Sequence, residues 1–583
     1  GASSWPFQLL TVSGRSVKAL RKTADKLVED LEHRAPDTSL AGVAFTLQSA
    51  RTALPLRKSL VVASSGAADI TSMTQVLKDQ FPDEEELEDV EEAAKKPTVA
   101  FVFPGQGSQY FAMAQGLYES VPLFRSCADK CCELLQLPEH LGFDLRPLLF
   151  DRRPETEKER METFDRPSVT QPALFIVEYC LSKVMLAIGL NPVAVAGHSL
   201  GEYTAAVTGG LLELEGAVAI VAARAKATET LAEDGSMLSV VDWTEDELES
   251  ISKGERPGLW LAAVNSPVHA VISGETDAVT ALEAELKANN KKCTKLHVKK
   301  AFHSGLIAKA ADTLINLGLP AEKAEQSKLT ASTPVASNQT GAWLNATMLR
   351  DGTYWKDHMR GTVYWRQNAS RMLSQWSPSA FLEVGPGNAL SALTSKCVTS
   401  GEKPLFVQAM RHPKSVGTHD VEALLGAIGR LWEAGHNIDW SALHGEVLGQ
   451  EDSLPRQLRL SGYGFDETSL WANPERSVYI EKTENPAPAP YAKGGGAAAV
   501  PVAKAVAVPT GVLLRFGGQR VSEPTLKAYC LPFASGSATV FAPWAQQVDE
   551  VVEVISIELP ARGARSEESM PQSDAEDEAL LEG

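Results

Sequence analysis

The sequence contains no uninterrupted apolar run of the ~18 residues that a membrane-spanning helix requires. Its best candidate, residues 172–190, carries Glu178 and Lys183 and is typical of a helix inside a protein core. No secretory signal stands at the start of the chain, so we expect a cytoplasmic protein with reduced thiols. The first residue is Gly1 and not methionine, and we therefore expect the chain to be a piece of a longer polypeptide.

Cysteine and positive charge are both scarce. The chain has seven cysteines in 583 residues, and although Cys127, Cys131 and Cys132 are close in sequence, no second CxxC or HxxxH pattern completes a metal site around them. We expect no bound metal. The net charge of −19 at pH 7 argues against a nucleic-acid partner.

The remaining composition is ordinary for a globular protein, with 44% hydrophobic residues, and it divides the chain into six segments. A small α/β adaptor comes first, with a helix predicted at 16–33 and a strand at 59–64. A flexible linker rich in Pro, Ala and Gly separates a long α/β domain and its trailing strap from a last α/β-like segment. The predicted bounds are 1–80 for the adaptor, 81–96 for an acidic linker, 97–412 for the α/β domain, 413–483 for the strap, 484–510 for the flexible linker and 511–583 for the last segment.

The stretch Ala196-Gly197-His198-Ser199-Leu200-Gly201-Glu202 is the strongest indication of chemistry. It follows an apolar strand pattern at 190–195 and precedes a helical pattern from Tyr203. Strand, Gly-x-Ser-x-Gly and helix in this order is the layout of a nucleophile elbow. The pattern predicts an α/β-hydrolase-like core, interrupted at 236–300 by alternating strand and helix patterns that suit a ferredoxin-like insert.

A serine nucleophile needs a base and donors for the developing oxyanion. Among the eleven histidines, His303 is the best-placed base because it lies where the chain returns from the insert to the core. The N–H of Leu200 and one from the turn at 104–107 would form a two-donor oxyanion hole. Arg224 lies in the otherwise apolar helix 217–227, where an unpaired charge is costly, so it should pair with a carboxylate of the protein or of the substrate.

The α/β domain resembles the malonyl-CoA:acyl carrier protein transacylase family, including the acyltransferase domains of modular polyketide synthases. The resemblance is carried by FPGQGSQ at 103–109, TQPALF at 170–175, GHSLGEYTAA at 197–206, Arg224, NSP at 265–267, AFHS at 301–304 and EVGPG at 383–387. The first segment is similar to the ketosynthase-to-acyltransferase adaptor, and the strap is similar to the segment that follows an acyltransferase. The chain therefore resembles a slice of a type I polyketide synthase.

The resemblance implies the catalytic roles. Ser199 would take the acyl group as an ester, and His303 would act as its base. The N–H groups of Gln106 and Leu200 would form the oxyanion hole. The carbonyl that orients the histidine in this family falls on the residue before a tryptophan, which here is Tyr364.

The resemblance also implies the substrate-binding side chains. Arg224 would hold the free carboxylate of the substrate, with Gln171 and Asn265 contributing from their own motifs. Family members with Phe before the histidine generally take malonyl, and those with Ser there take methylmalonyl; this chain has Phe302. One methyl group is worth only ~1–3 kcal/mol in a pocket, so this indicates a preference. Lys300, where malonyl-type members often carry histidine, departs from the pattern.

The expected function is a ping-pong transferase of polyketide or fatty acid biosynthesis. Malonyl-CoA acylates Ser199, CoA leaves, and the phosphopantetheine thiol of an acyl carrier protein takes the malonyl group. No cofactor is expected on this chain itself, and the expected partners are the CoA thioester, the carrier protein and neighbouring domains such as a ketosynthase. Two alternatives stay open: a serine acyl hydrolase, which would have no use for Arg224, and a non-catalytic scaffold module.

In the last segment, 511–583, strands are predicted at 527–531 and 552–557, with a helix around Trp544 between them. This segment resembles the beginning of a type II-like thioesterase in CLPFASGSATVFAPWA and ELPARGAR. That family's own Gly-x-Ser-x-Gly should follow these motifs, whereas the only such pattern in the chain is the one around Ser199. We expect no thioesterase activity from these residues.

Overall fold

The computed structural model describes most of the chain up to residue 465 and four strands after it. The described residues are 5–34, 38–64, 69–81, 96–151, 162–316, 332–349, 352–399, 401, 403–449, 454–465, 506–507, 513–516, 526–530 and 552–557. Residues 1–467 form one compact unit and 468–583 form a second.

The elements of the first half are both strands and helices. They are β1 (Phe7–Gly14), α1 (Val17–Glu32), α2 (Leu40–Ser49), β2 (Leu56–Ala63), α3 (Asp69–Gln80), β3 (Val99–Phe103), α4 (Gln115–Ser120), α5 (Pro122–Gln136), α6 (Arg146–Leu149), α7 (Pro167–Ala187), β4 (Ala194–Gly197), α8 (Gly201–Thr208), α9 (Leu214–Leu231), β5 (Ser236–Val241), α10 (Glu245–Ser252), β6 (Leu259–Ser266), β7 (His269–Gly274), α11 (Thr276–Ala288) and β8 (Cys293–Lys295).

The elements of the second half are mostly short. They are α12 (Ala308–Asp312), β9 (Val335–Ala336), α13 (Thr353–Arg360), α14 (Trp365–Trp376), β10 (Ala380–Glu383), α15 (Ala389–Ser395), β11 (Leu405–Gln408), α16 (Asp420–Glu433), α17 (Trp440–Ala442), β12 (Val506–Ala507), β13 (Leu513–Phe516), β14 (Leu526–Cys530) and β15 (Val552–Ile557).

A parallel five-stranded sheet in the order β11-β10-β3-β4-β9 forms the centre of the α/β domain. Every residue of β3 is buried, as expected for a central strand covered by helices on both faces. Because the strands are parallel, the turns that follow β3, β4 and β10 meet at one edge of the sheet. That edge carries the 104–107 turn, the elbow and the Gly385-Pro386-Gly387 turn, and the active site is expected there.

The insert forms the ferredoxin-like fold that its sequence pattern predicts. Its four strands make an antiparallel sheet in the order β6-β7-β5-β8, and α10 and α11 complete a β-α-β-β-α-β unit. The register of β6 against β7 shifts between Leu261 and Ala263 and again between Val264 and Ser266. The predicted α/β-hydrolase-like core with this insert and a small α/β adaptor in front is therefore confirmed.

Helix α7 is the one helix of the described residues that is long and apolar enough to cross a membrane, judged by length and composition alone. It has a mean hydropathy of 1.2, and 83% of that stretch is buried inside the protein. It packs against α5, α8 and α9, so it is a helix of the protein core, as the sequence predicts for residues 172–190.

The adaptor is an antiparallel pair, β1 and β2, covered by α1, α2 and α3. The predicted helix at 16–33 is confirmed as α1, which Ser16 caps by accepting the N–H of Ala19 at 3.1 Å. The predicted strand at 59–64 begins earlier, at Leu56.

Two later parts of the chain return to this adaptor. Helix α16 packs across both of its strands, where the N–H and Oγ of Ser59 donate to Glu433 Oε1 at 2.6 and 2.7 Å. Residues 454–465 lie against its helices, with Leu458 N–H donating to Thr46 Oγ1 at 2.8 Å.

After residue 467 the described residues are four strands in the order β12-β13-β15-β14. β14 and β15 agree with the strands predicted at 527–531 and 552–557. The helix predicted around Trp544 lies outside the described residues, as do most of the acidic and flexible linkers and the strap beyond residue 465. The resemblance to a thioesterase stays a prediction.

Candidate active site

Ser199 stands on the turn between β4 and α8 with a positive φ of 51°. The turn is tight enough to require glycine on both sides. A Cβ on Gly197 would lie 1.9 Å from the carbonyl carbon of Gly201, and a Cβ on Gly201 would lie 2.2 Å from the oxygen of Phe103. The strained serine and its two glycines are the geometry of a nucleophile elbow.

His303 is hydrogen-bonded to the nucleophile. Ser199 Oγ and His303 Nε2 are 2.7 Å apart, and His303 Nδ1 lies 2.8 Å from the carbonyl oxygen of Gly361. Because a carbonyl only accepts, Nδ1 carries the proton, and Nε2 is left to accept the proton of Ser199. The predicted base is thus within reach of the predicted nucleophile.

Burial, and after it the charge of the nearby Arg224, together lower the pKa of His303 to about 3. The imidazole is therefore neutral at neutral pH, in the form that can take a proton. A base with so low a pKa is weak, and neutralising the charge of Arg224 would strengthen it.

The orienting carbonyl predicted at Tyr364 is wrong. Tyr364 lies directly before α14, and its carbonyl accepts the N–H of Asn368 at 3.1 Å in the first turn of that helix. Gly361, three residues earlier, lies between α13 and α14 and presents its carbonyl to the histidine instead. The residue type gave no signal because a backbone carbonyl is present at every position.

Arg224 reaches the nucleophile from α9. Its side chain is buried, with 1% exposure, and Nη2 lies 3.3 Å from Ser199 Oγ. Nε and Nη1 are buried without a hydrogen-bond partner, and no carboxylate of the described residues forms an ion pair with the guanidinium. Burial lowers the pKa of Arg224. A cation in this state can bind an anionic group beside Ser199.

The turn at 104–107 presses against the elbow, where a Cβ on Gly105 would lie 2.5 Å from the carbonyl oxygen of His198. Within the described residues, neither the N–H of Gln106 nor that of Leu200 donates to a protein acceptor, so both can serve an oxyanion. The side chain of Gln106 accepts from Gln171 Nε2 at 3.1 Å.

Gln171, which the sequence predicts to bind the substrate, is fully buried beside this turn. Gln171 Nε2 also lies 3.5 Å from Thr228 Oγ1, which donates to the carbonyl of Arg224 at 2.7 Å. Phe302, predicted to limit the size of the acyl group, is buried in the core directly before His303.

Asn265 is placed differently from its predicted role in substrate binding. Its Oδ1 lies 2.8 Å from His198 Nε2, and its Nδ2 lies 3.2 Å from His269 Nδ1. Both ends of the amide are thus used by protein groups. His198 faces this amide and not the nucleophile, so it does not compete with His303 as the base.

Sequence reasoning missed a buried network of hydrogen bonds that supports the elbow at Gly197 and Glu202. Asn338 Nδ2 donates to the carbonyl of Gly197 at 2.7 Å, and Asn338 N–H donates to Glu202 Oε2 at 2.6 Å. Tyr354 donates to the other oxygen of Glu202. Burial raises the pKa of Glu202 to about 7. Glu202 stands inside the elbow motif, but Asn338 and Tyr354 are 136 and 152 residues away and carry no local signal.

The search for a metal site covers the same described residues. Among the described residues, no group of three or more His, Cys, Asp or Glu side chains is arranged to hold a metal ion. The groups that the structure places together at this site are the serine, the histidine and the guanidinium.

Comparison with known proteins gives matches along both parts of the first unit. A family described as "Acyl transferase domain" matches residues 100–430, and one described as "CurL-like, PKS C-terminal" matches residues 8–69. The chain is 29% identical over 505 residues to a component of the phenolphthiocerol/phthiocerol polyketide synthase of Mycobacterium tuberculosis, covering 85% of this chain and 32% of that protein. It is 31% identical over 463 residues to the polyketide synthase GfsA of Streptomyces halstedii, covering 79% of this chain and 6% of that protein. The chain spans about a third or less of the length of these relatives.

Solved structures agree with these matches. The acyl transferase domain of ZmaA is 29% identical with a TM-score of 0.66, covering 79% of this chain and 100% of that one. The acyl transferase domain of SpnD in complex with 2-(pent-4-yn-1-yl)malonyl is 33% identical with a TM-score of 0.61, covering 75% and 97%. The match to the acyl transferase family alone spans more than half of this chain. The chain therefore belongs to the acyl transferase domains of type I modular polyketide synthases.

Proposed function

We propose that this chain transfers a malonyl unit from malonyl-CoA, through an ester on Ser199, to the phosphopantetheine thiol of an acyl carrier protein. The observation that carries the proposal is the state of Arg224, which is buried 3.3 Å from Ser199 Oγ and has two nitrogens without a hydrogen-bond partner in the described part of the chain. An acyl group with its own carboxylate would pair with this guanidinium through two parallel hydrogen bonds. A plain acyl chain would leave the charge buried and unpaired, which is costly.

In the first half-reaction, Ser199 Oγ attacks the thioester carbonyl of malonyl-CoA while His303 Nε2 takes the hydroxyl proton. Negative charge develops on the carbonyl oxygen and is stabilised by the N–H groups of Gln106 and Leu200. The tetrahedral intermediate then collapses, the carbon–sulfur bond breaks, and His303 returns the proton to the leaving thiol of CoA.

The second half-reaction runs the same steps with a new thiol. The phosphopantetheine thiol of the carrier protein gives its proton to His303 and attacks the ester carbonyl. The oxyanion forms against the same two amides, the bond to Ser199 breaks, and His303 returns the proton to Ser199 Oγ. No cofactor bound to this chain takes part in the steps as proposed.

The charge of Arg224 links substrate choice to the strength of the base. In the free site this charge helps to hold the pKa of His303 low. When the carboxylate of a malonyl group pairs with Arg224, the net charge next to His303 falls and its pKa rises. The imidazole then becomes a better base when the expected substrate is bound.

The size of the acyl group is limited by Phe302. A phenyl ring directly before His303 would occupy the space that an α-methyl group needs, so malonyl is preferred over methylmalonyl by a factor that one methyl can supply, ~10–200-fold. We also propose that the protein is cytoplasmic. Its proposed neighbours include the acyl carrier protein and a ketosynthase, because the domain that receives the acyl group and the domain that condenses it belong to the same assembly.

The test is intact-mass analysis of the full chain after exposure to malonyl-CoA, methylmalonyl-CoA and acetyl-CoA in competition. We expect a malonyl mass on Ser199, its absence in Ser199→Ala, and transfer to an added carrier protein. Phe302→Ser should move the preference toward methylmalonyl by about tenfold, while Phe143→Ser, an exposed phenylalanine outside the site, should not. Preferential acetyl loading with rapid release to water would indicate a serine acyl hydrolase, and no adduct at all would indicate a scaffold module.

A further inference from the structure

A chain of hydrogen bonds runs from the elbow into the ferredoxin-like subdomain. His198 Nε2 lies 2.8 Å from Asn265 Oδ1, and Asn265 Nδ2 lies 3.2 Å from His269 Nδ1. His269 Nε2 in turn lies 2.8 Å from Ser239 Oγ. The four residues stand on the elbow, β6, β7 and β5, so the chain ties three strands of the insert to the residue next to the nucleophile.

Each hydrogen bond in this series is donated in the same direction, from His198 towards Ser239. Asn265 Oδ1 only accepts, so His198 carries its proton on Nε2; Asn265 Nδ2 only donates, so His269 Nδ1 is bare. A neutral His269 then has its proton on Nε2 and donates it to Ser239 Oγ. Burial lowers the pKa of both His198 and His269, that of His269 to about 4, and this keeps both rings in the neutral form that the chain needs.

Asn265 is aimed at the elbow by an irregularity of its strand. The register of β6 against β7 shifts between Val264 and Ser266, with Asn265 in between. Such a bulge changes the direction in which a side chain projects. The insert therefore departs from regular pairing at the residue that reaches the core.

The same strand also reaches the other half of the catalytic pair. Val363 N–H donates to the carbonyl of Ala262 at 2.9 Å, and Val264 N–H donates to the carbonyl of Val363 at 2.9 Å. Val363 is two residues from Gly361, whose carbonyl orients His303. A shift of β6 would therefore move the supports of Ser199 and of His303 together.

We infer that the ferredoxin-like subdomain positions the nucleophile turn through the chain Ser239–His269–Asn265–His198, with His269 and Ser239 as positioning residues for the acyl transfer reaction. The inference rests on the proposed role of Ser199 as the nucleophile. His269 and Ser239 do not contact Ser199, so they act through Asn265 and His198. Small displacements of a reacting group slow a reaction strongly, which is why so distant a hydroxyl can matter.

The experiment compares two substitutions of His269 in the full chain. His269→Leu leaves Asn265 Nδ2 and Ser239 Oγ unpaired, and it should slow the acylation of Ser199 about tenfold with the KM for acyl-CoA unchanged. His269→Gln keeps an acceptor and a donor on one side chain and should restore the rate to within about threefold of the wild type. Ser239→Ala, which removes only the far end of the chain, should slow acylation about threefold.

Two controls separate positioning from stability and from substrate identity. Ser236→Ala removes another hydroxyl of β5, which is hydrogen-bonded to Thr276 Oγ1 at 3.2 Å and takes no part in the hydrogen bonds from Ser239 to His198. This variant should leave the rate unchanged. The rates are measured with malonyl-CoA and with a fluorophosphonate that labels activated serines of any acyl specificity, beside a thermal melt of each variant.

The outcomes are distinct. Equal rates for His269→Leu and the wild type, or equal losses for His269→Leu and His269→Gln that follow their melting temperatures, would overturn the positioning role. A wild type that reacts with the fluorophosphonate and not with malonyl-CoA would overturn the proposed function and leave the positioning role standing on the probe data.

Discussion

Two buried arginines stand in contrasting surroundings. Arg411, 8% exposed, lies near the start of α16 with its Nε 3.4 Å from Asp420 Oδ1 and its guanidinium carbon 4.1 Å from the ring centre of Tyr110. Arg224, 1% exposed, lies beside Ser199 with a tyrosine ring nearby and no carboxylate partner among the described residues. The fold supplies the counterion in the first region, whereas the residues that the structure describes supply none in the second.

The difference separates structural from functional burial of charge. Asp420 is itself held by Gly116 N–H at 3.0 Å and Tyr110 Oη at 3.3 Å, so the Arg411 junction is complete without any ligand. Arg224 has no such counterpart among the described residues, and the carboxylate of the proposed substrate would supply one. A site that keeps an unpaired charge gives up stability for binding, a common cost of function.

The largest effect is expected from Arg224→Ala, which removes the cation that lacks a partner. In the proposed function, Arg224 makes two charge-assisted hydrogen bonds to the substrate carboxylate; without them, malonyl loading of Ser199 should fall about a thousandfold. The free energy of unfolding should not fall, because no protein carboxylate loses its partner. Rapid-quench intact mass and a urea melt measure the two quantities.

Lys226→Ala, on the same helix and partly exposed, is the matched control and should load normally. Loading by Arg224→Ala within tenfold of the wild type would contradict the assignment of Arg224 to the substrate carboxylate.

Arg411→Ala should have the opposite profile. It leaves Asp420 buried beside an apolar gap, and breaking a buried ion pair from one side costs about 3–5 kcal/mol of folding free energy. The folded fraction should still load malonyl at the wild-type rate. Urea unfolding of the first unit, followed by tryptophan fluorescence, measures the loss. A loss below about 1 kcal/mol would mean that the junction is not a structural ion pair.

The smallest effect concerns pH. Only a neutral His303 accepts the proton of Ser199, so fluorophosphonate labelling falls as pH drops through the pKa of His303. That pKa is lowered to about 3, so labelling should not fall around the ordinary histidine value of 6.5. Arg224→Gln removes the second cause of the depression, and the pKa and the acid limb should both move upward; Arg411→Gln should move neither. A wild-type midpoint near 6.5 would contradict the buried, charge-depressed state of His303.

Sequence reasoning predicted the parts of the site that depend on side-chain type. Ser199, His303 and Arg224 were identifiable because a nucleophile, a base and a buried cation each need a particular residue, and the structure brings the three together within hydrogen-bond distances. The ferredoxin-like insert was predictable because its strands and helices are local patterns with short connections.

The rest depends on the path of the backbone and on distant neighbours. The family resemblance implies Tyr364 as the orienting carbonyl because it precedes Trp365, but a helix begins there and uses that carbonyl itself. Asn265 was assigned to the substrate because of its motif, whereas a strand bulge and His269 direct it to His198. Neither the bulge nor the pairing of β6 with Val363 has a signature in local sequence.

The seating of α16 on the adaptor has a consequence for biosynthesis. Ser59 and its partner Glu433 are 374 residues apart, so β2 leaves the ribosome long before the helix that covers it exists. At a translation rate of about 5–20 residues per second, Glu433 is synthesised roughly 20–75 s after Ser59. During this interval one face of the two-stranded adaptor lacks its cover. The strands of the adaptor are thus made well before the helix that completes their packing.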